Sequence, residues 1–572
     1  MCGIFCSVLQ NNKLHSYTIP NTLKEILRNR GPDVQDEMIE DYDTGQIIFA
    51  GNVLWQQGES IQKQPVVAND FILLFNGDIY NLPKPETMSD TSWIASQISE
   101  CRYEEKKILQ LLKNWEGPHC LIIYDKRKQI LYFSRDALGR NSLIIERIPK
   151  ELHLLSASYY LENDKLSLEL PPLGLYKVNI NDLTSCVLHP WCPLNNYSIH
   201  LLSKLDQAVG WKTTVESPMF PEWMLKSKLT FNYDFYKFTY IDCHVDLFKN
   251  LISQPQITDS LATLHKLLSD SVRKRVTNRA PLCRLCLIKV TIPTVCTHAK
   301  LSILFSGGID CTILALLANE FVPENEPIEL INVAFESIDG QNISEELWNV
   351  PDRKTALLSI NELNQLCPKR YWKLLEVNVT RQELEQHLTT RIKHLIYPLE
   401  TVLDESLGCA FWFASHCDSS TARVALIGSG ADELFGGYAR HRNCYRHCMG
   451  SAMERQLAVH DELEMDWQRL PARNLARDDR VIADNGKTAR SPFIEENVVK
   501  FIRSLEPYQK CCFSFPEGVG DKLLLRLYGY QIGLRGVVLL KKRAIQFGSR
   551  IANKKQKATN KSDNLKQKLE TM

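Results

Sequence analysis

The stretch Leu301-Ser302-Ile303-Leu304-Phe305-Ser306-Gly307-Gly308-Ile309-Asp310-Cys311 decides how the chain is read. Four of its first five residues are apolar, which suits a strand covered on both faces, and Thr312 to Leu317 continue as the apolar start of a helix. Gly307 and Gly308 let the backbone approach a ligand closely, and the free N–H groups of the first helical turn point into the same space. Those are the requirements of a phosphate site. A carboxylate at Asp310 would repel phosphate unless a cation sat between them, so the expected ligand is a nucleotide with Mg2+.

Outward from this stretch the pattern alternates. Ile328 to Phe335 and Leu374 to Val379 are further apolar runs, with a helix expected over Asp352 to Leu363 between them. Strand, helix, strand argues for a parallel doubly wound sheet, in which ligands sit at the carboxyl ends of the strands and Val333 would lie beside a bound base. A further buried run, Arg423 to Ile427, empties into Gly428-Ser429-Gly430-Ala431-Asp432-Glu433-Leu434-Phe435-Gly436-Gly437-Tyr438. Its carboxylates favour a divalent cation held by Asp310 and Asp432, and Gly428 and Gly430 leave room for pyrophosphate.

The whole chain bounds these readings. At 572 residues it is too long for one core and predicts two or three domains. A hydrophobic fraction of 44%, a charged fraction of 24% and a net charge of +1 are ordinary for a soluble protein and exclude broad electrostatic attraction to nucleic acid or anionic membrane. No run reaches the roughly 18 apolar residues of a membrane span, and no secretory signal is expected. The eighteen cysteines are scattered. Cys283-Arg284-Leu285-Cys286 has no second pair or histidines at ligand spacing, so free thiols in a reducing cytoplasm are expected.

The amino-terminal half offers a different chemistry. Cys2 becomes the first residue once Met1 is trimmed, and its α-amine, with a pKa of roughly 8, can serve its own thiol as a base. Turn-like clusters follow at Arg30-Gly31-Pro32-Asp33, Asn76-Gly77-Asp78-Ile79-Tyr80-Asn81, Ser89-Asp90 and Arg135 to Arg140, between β-rich runs such as Phe71 to Phe75, Cys120 to Tyr124 and Ile130 to Phe133. Residues 191 to 264 read as a linker or insertion. Thr258 to Arg273 reads as an amphipathic helix, and the Lys-rich residues 551 to 572 as a disordered tail.

Ser306, Gly307, Gly308 and Asp310 resemble the pyrophosphate loop of ATP pyrophosphatases, Ser-Gly-Gly-x-Asp-Ser, with Cys311 in place of the last serine. The clusters of residues 2 to 190 resemble the class II glutamine amidotransferase domain, a four-layer αββα fold of the Ntn-hydrolase group. Together with the Asp432 loop, the chain resembles glutamine-hydrolysing asparagine synthetases, and in detail the divergent asparagine synthetase domain-containing proteins of animals. That resemblance implies Cys2 as nucleophile, Asn76 and Gly77 as oxyanion hole, and Asp90 as the acid that holds the glutamine amine. It implies Glu400, in Tyr397-Pro398-Leu399-Glu400-Thr401, as the base for ammonia. Lys542, in Lys541-Lys542-Arg543-Ala544-Ile545-Gln546-Phe547-Gly548, is implied to stabilise phosphate charge. The implied substrates are ATP with Mg2+, glutamine, and aspartate or another small carboxylic acid, with the oligomeric state left open, a homo-oligomer included. The synthetase-like region is expected over residues 265 to 550.

One position departs. Where the family clamps the glutamine carboxylate with arginine, the sequence reads Gly51-Asn52-Val53-Leu54. Loss of one partner of a desolvated charge pair costs about 2 to 5 kcal/mol, roughly 30-fold to several-thousand-fold in affinity. A nucleotide-binding scaffold with impaired glutaminase is therefore the competing expectation.

Overall fold

The computed structural model describes residues 2–10, 18–101, 104–159, 166–221, 223–224, 240–288, 296–336, 347–552 and 557–565. Two sheets of the amino-terminal half pack face to face. One runs in the order Leu166–Glu169, Ile144–Ile148, Glu151–Leu155, Gly3–Gln10, Gly45–Val53 and Val34–Tyr42. The other runs Lys212–Val215, Asp182–Pro190, Gly174–Asn179, Ile130–Arg135, His119–Asp125, Phe71–Gly77 and Val66–Ala68. Strand periodicity sorts the side chains of Gly3–Gln10. Ile4, Cys6 and Val8 join Ile72, Leu74 and Ile122 between the sheets, while Phe5 and Leu9 pack on Leu23 and Leu27 of the outer helix Asn21–Arg30. Helices Asp90–Glu100 and Glu105–Lys113 cover the far side of the second sheet through Ile94, Ile98, Ile108 and Leu112. The layers are αββα, as expected.

The carboxyl-terminal half is built on a parallel sheet in the order Trp372–Val379, Ile328–Phe335, Leu301–Leu304, Val424–Leu426 and Thr488–Arg490. After Leu301–Leu304 the chain adds two strands on one side, then returns to add two on the other. The strand order therefore reverses beside Leu301–Leu304, and the loops leaving it and Val424–Leu426 flank a crevice, the usual ligand position in such sheets. The helix Ile309–Phe321 buries Ile313, Leu314 and Leu317 against the sheet, and Pro351–Leu366 starts with proline at its first turn, where the missing N–H costs nothing.

Three boundaries differ from the sequence reading. Lys212–Val215 pairs in parallel with Asp182–Pro190, so the amino-terminal body runs past residue 190 to Val215. It is an edge strand with exposed Lys212 and Val215, and that polar, exposed character made it read as linker. The helix expected over Thr258 to Arg273 extends over Pro255–Thr277. Residues 557–565 of the expected disordered tail lie ordered against the synthetase-like half. There the Ala558 and Asn560 carbonyls accept the Leu403 and Val402 N–H groups at 3.1 and 2.9 Å. Those amides open the helix Val402–Ser415 and need partners from outside it.

The two halves meet across buried ion pairs: Arg30–Asp479 at 3.0 Å, Arg490–Asp78 at 2.9 Å, Arg140–Glu496, Arg423–Asp33 and Arg480–Glu169. Breaking one partner of such a pair costs about 3 to 5 kcal/mol, because the other charge is left buried alone. These pairs therefore fix one docking geometry. No helix among the described residues is long and apolar enough to cross a membrane.

Candidate active sites

The crevice at the sheet reversal holds a cavity of about 420 Å3 lined by Ser306, Gly308, Asp310, Val333, Gly428 and Gly430, with Asp432, Glu433, Lys542 and Arg543 also on its walls. Gly307 turns with φ of +77°, and a Cβ there would stand 2.4 Å from the Ala356 nitrogen, so only glycine lets the loop bend over the helix Pro351–Leu366. Cys311 donates its thiol to the Gly308 carbonyl at 3.2 Å, closing the loop from within. Asp310 and Asp432 come from different corners yet bind one cation. The Lys522 ammonium lies 2.7 Å from Asp310 Oδ2 and 2.6 Å from Asp432 Oδ1, and Lys542 reaches Asp432 Oδ2 at 2.7 Å.

Charge governs protonation here. Burial opposes ionisation of Asp432, but the ammonium groups of Lys522 and Lys542 outweigh it and hold the carboxyl below the usual range. Burial, together with the neighbouring Asp432 charge, pushes Glu433 up to about 7, and its carboxylate accepts from the Tyr438 hydroxyl at 2.6 Å. Burial also pushes Asp352 up to about 7, with Arg543 and Lys542 opposing.

The second site forms where Gly3–Gln10 begins and Phe71–Gly77 ends. The Cys2 N–H donates to Asn76 Oδ1 at 2.6 Å, and the Gln64 amide lies 3.7 Å from the sulfur. Asn76 Nδ2 is buried without a hydrogen-bond partner. A buried orphan donor costs about 1 to 3 kcal/mol unless something charged accepts from it, which suits an oxyanion hole. Burial pushes the Cys2 thiol above its ordinary value, so attack requires a base at hand. Asp90 opens the helix Asp90–Glu100. Its carboxylate accepts from the Ile79 N–H at 2.7 Å and the Gln57 amide at 3.0 Å, with Lys84 at 3.4 Å, and burial pushes it up to about 6.

The cavity beside Cys2 is only about 50 Å3. Val53, Leu54, Gln57, Gln62, Gln64 and Asp90 are among its walls, and no lysine or arginine among the described residues lines it. Gln57 spans Asp78 and Asp90 with one amide nitrogen, at 2.8 and 3.0 Å.

A third, smaller cavity of about 20 Å3 lies between the two. Its wall residue Arg490 donates to Asp78 of the Cys2 cavity at 3.0 Å, and its wall residue Ile427 also lines the large cavity.

Comparison with known proteins places this geometry. The Glutamine amidotransferase domain family matches residues 1–162 and the Asparagine synthase family matches residues 295–532. An asparagine synthetase domain-containing protein of Drosophila melanogaster is 72% identical over 565 residues, covering 99% of this chain and all of that protein. The chain belongs to the asparagine synthetase domain-containing proteins. A human member is 32% identical, covering 96% of this chain and 95% of that protein. A glutamine-hydrolysing asparagine synthetase of Saccharomyces cerevisiae is 22% identical, covering 92% and 80%.

Against the family pattern, the structure gathers Ser306, Gly308, Asp310, Val333, Gly428, Gly430, Asp432 and Lys542 around one cavity, with Gly307 shaping its loop. Cys2, Gly77 and Asp90 line the other, with Asn76 hydrogen-bonded to Cys2. Glu400 is the exception. Its carboxylate is 52% exposed, pairs with Lys561 at 2.7 Å and does not line the cavity, although Leu403 and Leu407 just beyond it do. Sequence reasoning missed Lys522, which is buried at φ +53° before the helix Leu523–Gln531. A lone lysine before the apolar run Leu523-Leu524-Leu525 was the available signal.

Proposed function

We propose that the protein is an ATP-dependent carbon–nitrogen ligase that adenylates a small carboxylic acid, aspartate by family likeness, and passes ammonia to the acyl adenylate with release of AMP and pyrophosphate. The observation that carries this reading is the convergence of Asp310 and Asp432 on Lys522, beside Lys542, above two glycine corners. Lysines at those positions offset the charge that develops as pyrophosphate leaves. The all-oxygen pair Asp310 and Asp432 fits a hard divalent cation and would hold Mg2+, which when bound supplies further neutralisation of phosphate. Gly307 and Gly308 bring backbone N–H groups close to the phosphates, and Val333 supports the base.

Ammonia would be released at Cys2, with Asn76 and Gly77 stabilising the oxyanion and Asp90 holding the glutamine amine, and would move through the interface past Arg490 and Ile427. A base must keep the incoming nitrogen unprotonated, since ammonium has no lone pair. Glu433, lifted to about 7 on the cavity wall, suits that task better than the exposed Glu400.

A second reading rests on the Cys2 cavity, which is small, has no lining cation among the described residues and is spanned by Gln57. In that reading the amino-terminal half is a scaffold, and the carboxyl-terminal half takes ammonium or only binds nucleotide. Incubation of the full chain with ATP, Mg2+, aspartate and either ammonium or glutamine separates the two. Asparagine and pyrophosphate from ammonium are expected, with slower formation from glutamine. Bound ATP with no pyrophosphate under either condition overturns the ligase reading.

A further inference from the structure

Outside both sites, four ligand-type side chains converge: Cys283, Cys286, Cys296 and His298. Their sulfur and nitrogen atoms all lie within 4.8 Å of one another. Cys286 Sγ is 3.4 Å and Cys296 Sγ 3.9 Å from His298 Nδ1. A tetrahedron with metal–sulfur bonds near 2.3 Å and a metal–nitrogen bond near 2.0 Å has edges of about 3.5 to 3.8 Å. The set thus stands close to the vertices of a Cys3His tetrahedron. The sequence reading left the Cys283–Cys286 pair without partners, and the fold supplies them by bringing the segment just ahead of Leu301–Leu304 back onto the short helix Arg284–Leu287.

The surroundings are those of a built site. The three thiols are unbridged. Cys283 caps the helix, and its sulfur accepts the Cys286 N–H at 3.4 Å, an orienting contact for a thiolate. Leu282, Leu287 and Trp55 pack around the buried Cys283 and Cys286 and exclude water. The segment is anchored on both sides, by Arg284 N–H to the Thr421 carbonyl at 3.0 Å and by Lys300 Nζ to the Cys296 carbonyl at 3.3 Å.

We propose that Cys283, Cys286, Cys296 and His298 bind one structural Zn2+. Three thiolates and an imidazole fill a tetrahedral shell, leaving no open position, which is the pattern of structural rather than catalytic zinc. Its place gives it a task. The site leans on Trp55, whose carbonyl accepts from Arg423 at 3.0 Å and whose N–H donates to Asp33 at 2.6 Å, and Trp55 also lines the Cys2 cavity. The metal thereby clips the entry to the nucleotide strand onto the amino-terminal half at the Asp33–Arg423 pair. This assignment stands apart from the proposed reaction.

The full chain, expressed in zinc-replete medium without a histidine tag, is expected to carry about one zinc per chain by elemental analysis. Titration of its thiols with a mercurial should release that zinc to a chromogenic chelator. Replacement by Co2+ should give intense thiolate-to-metal charge-transfer absorption and tetrahedral d–d bands, and His298→Cys should keep the metal while C283S/C286S loses it. Fewer than roughly one zinc per ten folded native chains, or no thiolate charge-transfer band with Co2+, overturns the proposal. So does mapping of Cys283 and Cys286 to a disulfide in the native protein. The native-protein measurements stand even if the double variant fails to fold.

Discussion

The two cavities make opposite use of charge. Around Asp310 and Asp432, each acid meets an ammonium, and the walls hold lysine and arginine enough to face a triphosphate. Around Cys2 the proposed nucleophile and the orphan amide of Asn76 remain, while the wall that would meet a carboxylate presents Val53. The reacting atoms of a site and its substrate clamp can therefore part company. The first are held by strand ends and sheet packing, the second by a single side chain.

The largest expected effect tests the intact side. Asp432→Asn removes the charge shared by Lys522 and Lys542, and ATP-dependent pyrophosphate release should fall about a hundred- to a thousandfold. An unchanged rate would erase the contrast. Lys522→Met should in addition lower folding stability by about 3 to 5 kcal/mol in denaturant titrations, because two acids lose their common partner. On the depleted side, Val53→Arg should lower KM for glutamine at least about thirtyfold, the lower end of what a restored charge pair is worth. A KM that does not move would show that Gln57, not Val53, closes the pocket.

A smaller effect follows from Asp90. Its carboxyl sits at about 6, so it is charged above that pH and neutral below, and only the charged form attracts an ammonium group. Glutamine binding should weaken as pH falls through 6, reaching about a tenfold higher KM at pH 5 than at pH 7, whereas Asp90→Asn should bind weakly at both. Smallest of all, Cys311→Ser should change pyrophosphate release by less than about fivefold, on the order of 1 kcal/mol, because the thiol already makes the loop-closing hydrogen bond to Gly308.

Both glycine corners were legible in the sequence, since an apolar run, a glycine pair and an acid are neighbours along the chain, while the αββα layers followed from the family resemblance of residues 2 to 190. What stayed hidden was set by distance. Lys522 has meaning only beside two acids from other loops, and Cys296 and His298 only beside a pair they follow on another turn of chain. Glu400 shows the converse: a local string can match while its side chain meets Lys561 at the surface. The strand Lys212–Val215 and the segment at 557–565 were passed over because polar composition conceals backbone pairing.

That last segment has a practical consequence. Its Ala558 forms part of the large cavity, and Ser562 bonds Glu405 at the start of the same helix that flanks it. A truncation that trims the chain for crystallisation or display at residue 552 would open a window in the binding chamber and strip two amide partners from a helix end. Inactivity of such a shortened protein would report the surgery, not the full chain.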